Sequence, residues 1–230
     1  MVDCGFGLRE TVDRCARLGV DAESIDAIVV THEHSDHVGG VPRFARRFDI
    51  PVWLTFGTLA ATESRWEGCT LRGFDSHDAF VVDELEVQPF PVPHDAREPA
   101  QMVISDGERR LGVLTDVGET TPFIEASLSG CDALFLEANH CEDLLFHSRY
   151  PARLKARIAG RFGHLSNRAA AALLAAVAGP QLQHVVAAHL SRENNRADLA
   201  RAAFASALGG VHDGVHIASQ DDGLNWVTIA

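Results

Sequence analysis

The sequence contains no stretch of about 18 apolar residues, which excludes an ordinary membrane-spanning helix. Its opening, Met1-Val2-Asp3-Cys4-Gly5, has neither a basic flank nor an apolar core, so no secretory signal is read there. The five cysteines (Cys4, Cys15, Cys69, Cys131, Cys141) are odd in number and include no CxxC pair. A disulfide framework is therefore not expected, and a reducing cytoplasm is the compartment inferred. Positive charge is also scarce: 20 Lys+Arg stand against 32 Asp+Glu, for a formal charge of -12. Non-specific coating of duplex nucleic acid needs a basic surface and is argued against. A phosphodiester substrate is not excluded, because two bound dications add about +4 where a phosphate would sit. Internal repeats, low-complexity tracts and linkers are absent too, so residues 1–230 read as a single domain.

What is present is an ordinary globular composition, 46% apolar and 23% charged, with strand-like and helix-like segments alternating. Ala27 to Thr31 reads as a buried strand ending at His32, and 52–54 as another. Val41 to Phe48 and Phe56 to Ser64 read as helices. Val87 to Val92, Met102 to Ser105, Leu111 to Thr115 and Ala133 to Glu137 read as strands, with Asp106-Gly107-Glu108 as hairpin turn chemistry. Helical composition marks Pro151 to Ile158, Asn167 to Ala178 (Ser166 its N-cap) and Ala197 to Leu208, with a strand at Val185 to Ala188 between the last two. Gly223 to Ile229 looks like a closing strand, and Val2 to Gly5 like the end of one. The class is α/β.

Twelve histidines are many for this length, and their placement carries the chemistry. His32-x-His34-x-Asp36-His37 sets four ligand-type side chains at the end of a strand. Neutral imidazoles with a carboxylate suit zinc, manganese or iron. The helical HExxH pattern is absent. Four ligands this close in sequence do not all reach one ion in good geometry, so two adjacent divalent ions are the natural solution. His94, Asp116 and His189 each follow an apolar run, where a loop leaves the edge of a sheet, and they complete the candidate ligand set.

In this order, His32-x-His34-x-Asp36-His37, His94, Asp116 and His189 resemble the metallo-β-lactamase superfamily. Asp3 matches its first motif, an acidic residue that supports the metal loop without binding metal. More narrowly, Gly163-His164-Leu165-Ser166-Asn167, Leu136 to His140 and His189 to Asn195 look like the YycJ/WalJ branch, whose members are described as phosphodiesterases or DNA exonucleases. The resemblance implies a four-layer αββα sandwich with the metals at one edge of two facing sheets. Family members carry a strand pair ahead of the Asp3 motif that this sequence does not show.

The expected centre has His32, His34 and His94 on one ion, Asp36, His37 and His189 on the other, and Asp116 shared. The ions are Zn²⁺ or Mn²⁺, and a hydroxide held by both is the nucleophile. The resemblance gives His164 contact with the scissile phosphate or protonation of the leaving oxygen. Ser191, Asn194 and Asn195 precede a helix and either bind phosphate or cap it; His140 is a further substrate or supporting contact. Asp95, Asp106 and Glu137 read as structural or solvated, and His77, His147, His184, His212 and His216 as surface or packing residues. The leading expectation is a dinuclear phosphodiesterase or nuclease, DNA exonuclease-like, acting on nucleic acid or a small phosphodiester, with no membrane role. The alternative is a small-molecule hydrolase of the same fold, acting on a thioester, lactone or cyclic phosphate. A metal-binding scaffold without catalysis and a di-iron redox protein fit less well, because all seven ligands are present and a carboxylate is lacking where His34 stands.

Overall fold

The computed structural model describes residues 1–210 and 213–230, so His212 lies outside the described residues. Two compact units are formed: Met1–Pro91 with Ala96–Gln101, and Val92–Asp95 with Met102–Ala230. No helix among the described residues is long and apolar enough to cross a membrane, and the five cysteines are free thiols.

The first unit begins with Met1 to Asp3 running alongside β1 (Ile28–Val29): Val29 N donates to Met1 O at 2.9 Å and Asp3 N to Val29 O at 2.9 Å. Helix α1 (Leu8–Arg17) lies between them in sequence. Its mixed, charge-rich composition hid it from the sequence reading. A short turn of helix, α2 (Ser35–Val38), follows the histidine motif, and α3 (Val41–Phe48) occupies the predicted span. Val41, Phe44, Ala45 and Phe48 recur at helical spacing and turn one face of α3 inward. The helix ends at Asp49 in the left-handed conformation (φ 54°), a C-terminal stop that short polar side chains tolerate. Strands β1, β2 (Val52–Thr55) and β3 (Leu71–Phe74) form a parallel sheet, with Ile28 opposite Val52 and Val52 opposite Leu71. Between β2 and β3 comes α4 (Phe56–Thr62), started by the Thr55 side chain accepting from Thr58 N. Parallel strands are buried on both faces, which is why β1 and β2 are apolar runs without alternation; Ile28, Val52, Leu54 and Phe44 are fully enclosed. The hairpin β4 (Phe80–Val82) and β5 (Leu85–Pro91) completes the unit.

In the second unit, β6 (Ala100–Ser105, its first two residues belonging to the first unit) pairs antiparallel with β7 (Arg110–Leu114). The predicted turn joins them, with Asp106 Oδ1 accepting Glu108 N at 2.9 Å and Arg109 N at 2.7 Å. After α5 (Pro122–Leu128) comes β8 (Ala133–Glu137), then α6 (Glu142–His147), α7 (Ala152–Ile158) and α8 (Asn167–Val177). Ser166 caps α8, as read from the sequence, its hydroxyl accepting Ala169 N at 3.2 Å. Strand β9 (His184–Ala188), α9 (Ala197–Ala207) and β10 (Val215–Ile217) follow. The strands run in the order β10-β9-β8-β7-β6, parallel from β7 to β10. Helix α8 packs on α9 and α5. Fully buried Leu134, Leu136, Ile124, Leu128 and Phe204 fill the space beneath them, each worth about 1.5–3 kcal/mol.

One expectation fails here. Gly223 to Ile229 is not a strand, because β10 takes the edge beside β9, with Val215 opposite Val185. The C-terminal segment is instead held through side chains: Gln183 Nε2 donates to Ala230 O at 2.8 Å, and His184 Nε2 lies 3.0 Å from Thr228 O.

Candidate metal centre

In the first unit, the histidine loop is suspended from Asp3. Its Oδ1 accepts Thr31 N at 2.8 Å, and its Oδ2 accepts the Thr31 hydroxyl at 2.8 Å and meets His37 Nδ1 at 2.7 Å. The ionised carboxylate only accepts, so His37 carries its proton on Nδ1 and presents the Nε2 lone pair to a metal. The Thr31 hydroxyl, already donating to Asp3, sits 3.0 Å from His32 Nδ1. The same logic fixes His32 with Nδ1–H and an Nε2 lone pair. The His32 ring is 4.6 Å from His34 and 4.2 Å from His37, centroid to centroid. His32 and His37 are buried and Asp36 is exposed. The resemblance gives Asp3 a supporting role; here its carboxylate ties the loop at Thr31 and His37.

In the second unit, the parallel strands β7, β8 and β9 deliver three polar residues at one edge, the place where ligands bind open α/β sheets. Asp116 follows β7, Glu137 ends β8 and His189 follows β9. The register places Leu114 opposite Leu136 and Glu137 opposite Ala188. Asp116 and His189 adopt the left-handed conformation (φ 52° and 55°), as does Asp3 (φ 55°). This geometry turns each side chain sharply off its strand. His94 Nδ1 is 3.1 Å from Gly163 O, which fixes its proton there and leaves Nε2 as the ligand atom. That Nε2 lies 3.8 Å from Asp116 Oδ1, while His189 Nε2 lies 3.7 Å from Asp116 Oδ2. Both separations exceed hydrogen-bond length. They approach the roughly 3.4 Å that separates two ligands held at ~2.1 Å on one tetrahedral ion. One carboxylate thus has an imidazole nitrogen at metal-sharing distance from each of its oxygens. The donor set of nitrogen and oxygen, with the distal ring nitrogens tied down, fits divalent ions.

Glu137, read from the sequence as structural or solvated, takes the structural role: it is fully enclosed and accepts four hydrogen bonds. Oε1 takes His164 Nδ1 at 2.8 Å and His189 Nδ1 at 2.9 Å; Oε2 takes Val117 N at 3.1 Å and Leu165 N at 3.0 Å. Burial acts to raise its pKa, but the bonds and charge of His164 and His189 outweigh it and hold the carboxyl below the ordinary range. For His164, burial acts to lower the pKa, and the Glu137 carboxylate reverses this to a net rise. Asp116, Glu137, His164 and His189 each offer an atom within 4.8 Å of the others. The one signal in the sequence was a carboxylate at the end of an otherwise apolar strand.

The other predicted residues fall around this cluster. His140 is buried between two segments: Asn139 N donates to Leu165 O at 3.0 Å, and Ser191 N to Asn139 O at 2.8 Å. Burial pushes its pKa down, and its Nδ1 has no hydrogen-bond partner among the described residues. Asn194 is buried, with Nδ2 3.3 Å from Ser191 Oγ. Neither Ser191, Asn194 nor Asn195 caps α9, whose N-cap is Arg196. Asn195 instead exchanges two 2.8 Å amide bonds with Asn167. Asp95 and Asp106 are structural as read, the first paired with Arg157 at 2.7 Å. His77 and His147 are exposed, and His184 lies 3.2 Å from His216.

The family model described as "Beta-lactamase superfamily domain" matches residues 1–189. The chain is 32% identical over 211 residues to exodeoxyribonuclease YycJ of Bacillus anthracis, covering 90% of this chain and 80% of that one. Against exodeoxyribonuclease WalJ of Streptococcus pneumoniae it is 28% identical over 222 residues, covering 94% and 82%. The crystal structure of the metallo-β-lactamase fold protein YhfI from Bacillus subtilis superposes with a TM-score of 0.72 over 98% of this chain and 85% of the other, at 17% identity.

Proposed function

Because the chain belongs to the beta-lactamase superfamily, has its α/β fold and is YycJ/WalJ-like over most of its length, it is a metal-dependent hydrolase, and we propose that it is a phosphodiesterase that degrades DNA from an end. The observation that carries the reading is Asp116, flanked by His94 Nε2 at 3.8 Å and His189 Nε2 at 3.7 Å. We assign His32, His34 and His94 to one divalent ion, Asp36, His37 and His189 to a second, and Asp116 to both, with Zn²⁺ or Mn²⁺ as the ions. Such ions would neutralise charge on phosphoryl oxygens and bring the pKa of bound water down to about 7.

The chain's own residues do the rest. Asp3 and Glu137 hold the proton on the distal nitrogen of His37 and His189, so that the other nitrogen stays a ligand. His164 shares Glu137 Oε1 through its Nδ1. The Glu137 carboxylate raises the pKa of the ring and so favours its protonated form, and a proton on Nε2 is the one offered to the departing oxygen. A cytoplasmic location fits the five free thiols.

Elemental analysis of the purified protein, then assay on bis-p-nitrophenyl phosphate, a 5′-phosphorylated DNA duplex and a thioester, tests the proposal. Metal at two equivalents with phosphodiester cleavage supports it. Cleavage of the thioester alone replaces it with the small-molecule hydrolase that the -12 charge would suit. Asp116→Ala should abolish metal binding and turnover together, and a fully active variant would end the scheme.

A further inference from the structure

Beside the cluster around Glu137, one large apolar side chain is held out in solvent on a rigid loop. Phe162 is 51% exposed, two residues before His164. A lone exposed apolar residue is ordinary, but this one is pinned at both sides. Its carbonyl accepts Asp95 N at 3.1 Å, and the next carbonyl, that of Gly163, holds His94 Nδ1 at 3.1 Å. Gly163 N bonds Gly160 O at 2.8 Å, and His164 N bonds Ile158 O at 2.8 Å. A Cβ on Gly163 would overlap the carbonyls of Arg157 and Ile158, and one on Gly118 would overlap that of Arg161, so the loop backbone is packed without slack. The backbone that carries Phe162 therefore cannot shift without disturbing the supports of His94 and His164.

The surrounding charges decide what such a ring can hold. Arg161, whose guanidinium lies 5.5 Å from the Phe162 centroid, is bound to Glu119 at 2.6 Å, and Arg157 to Asp95 at 2.7 Å. The neighbouring cations are committed to carboxylates on a chain of net charge -12, which leaves little to track a phosphate backbone. A π face, by contrast, accepts any base. The geometry points to Phe162 as the platform on which the base of the nucleotide next to the scissile phosphate stacks, in single-stranded DNA or an unpaired end. This rests on the nuclease reading above, and it adds a residue that selects unstacked bases.

The test compares Phe162→Ala, Phe162→Leu and Phe162→Trp on a single-stranded oligodeoxynucleotide and on the same strand with an abasic residue beside the scissile linkage. Phe162→Ala should lower kcat/KM on the intact strand by about 5- to 100-fold. Trp should restore it and Leu should not. On the abasic strand, wild type should fall to the level of the Ala variant, which should itself be unchanged. With 2-aminopurine at that position, wild type should quench its fluorescence and Phe162→Ala should not. Equal losses on both strands, or rescue by Leu, would overturn stacking. Wild type active with Phe162→Ala unaffected would remove this inference alone. A metal-loaded wild type inert on every phosphodiester would remove the nuclease reading, and this inference with it.

Discussion

Replacing Glu137 by Gln preserves shape but not acceptor capacity, and the four bonds at this residue allow the outcome to be worked out. The carboxylate accepts at both ends: two imidazole N–H groups at 2.8 and 2.9 Å, and two backbone N–H groups at 3.0 and 3.1 Å. An amide accepts at one end only. If its oxygen faces Val117 and Leu165, its NH₂ confronts two ring N–H groups, and His189 must move its proton to Nε2, the atom assigned to a metal. If the oxygen faces the histidines, two enclosed backbone donors meet another donor, at about 1–3 kcal/mol for each group left unpaired. Relief from burying a charge offsets part of the loss in stability, so the variant should fold. The metal bears the effect: support of this type is worth about 10–100-fold in affinity, or roughly 1.4–2.7 kcal/mol. Competition titration against a chromogenic zinc chelator measures it directly, alongside kcat on a phosphodiester. A Glu137→Gln protein with wild-type metal affinity and wild-type turnover would refute the account of Glu137 as the residue that sets the tautomer of His189.

Three further outcomes are expected. His164→Ala should slow turnover by about 10²–10⁴-fold with metal content unchanged; loss of metal, measured by elemental analysis, would make His164 a ligand instead. Asp3→Asn keeps a side chain suited to φ 55° and an amide oxygen for Thr31 N, but puts an NH₂ donor where Oδ2 accepts His37 and the Thr31 hydroxyl, and should weaken metal binding about 10–100-fold in the same titration. In the metal-free protein, the pKa of His164 is raised above its ordinary 6.5 and that of Glu137 lowered below 4.5. The first stabilises fully below pH 6.5 and fades as pH rises through the raised value; the second stabilises above pH 4.5 and fades as pH falls through the lowered one. His140, whose pKa burial lowers, acts in the opposite sense as pH rises, so the readout is the difference in thermal midpoint between stripped wild type and stripped His164→Gln. That difference should shrink as pH rises above 6.5, and one that grows from pH 6.5 to 8 would contradict the His164–Glu137 pairing.

The ligand-type residues were legible because metal chemistry restricts residue type and because apolar strands ending in His or Asp mark a sheet edge. Helix α3 was legible to the residue, since Val41, Phe44, Ala45 and Phe48 repeat at helical spacing. Glu137 was not: a single carboxylate closing an apolar strand has no periodicity, and its importance lies in contacts with residues 27 and 52 positions away. Helix α1 escaped because its first unit packs it through few apolar positions. The supposed C-terminal strand failed for a complementary reason. Apolar residues near 224–229 resemble an edge strand, but the edge of β9 is filled by a three-residue strand, Val215–Ile217, too short to announce itself.

The left-handed backbone at Asp3, Asp116 and His189 carries a lesson for anyone engineering this chain toward heat resistance. Each such conformation costs on the order of 1–3 kcal/mol, strain that glycine would relieve, but at Asp3 and His189 the lost bonds to Thr31, His37 and Glu137 set a comparable cost against that gain. A screen selecting only for folded protein would weigh strain against those bonds and take no account of the chemistry. Selection for robustness and selection for turnover therefore act on the same peptide units by different criteria.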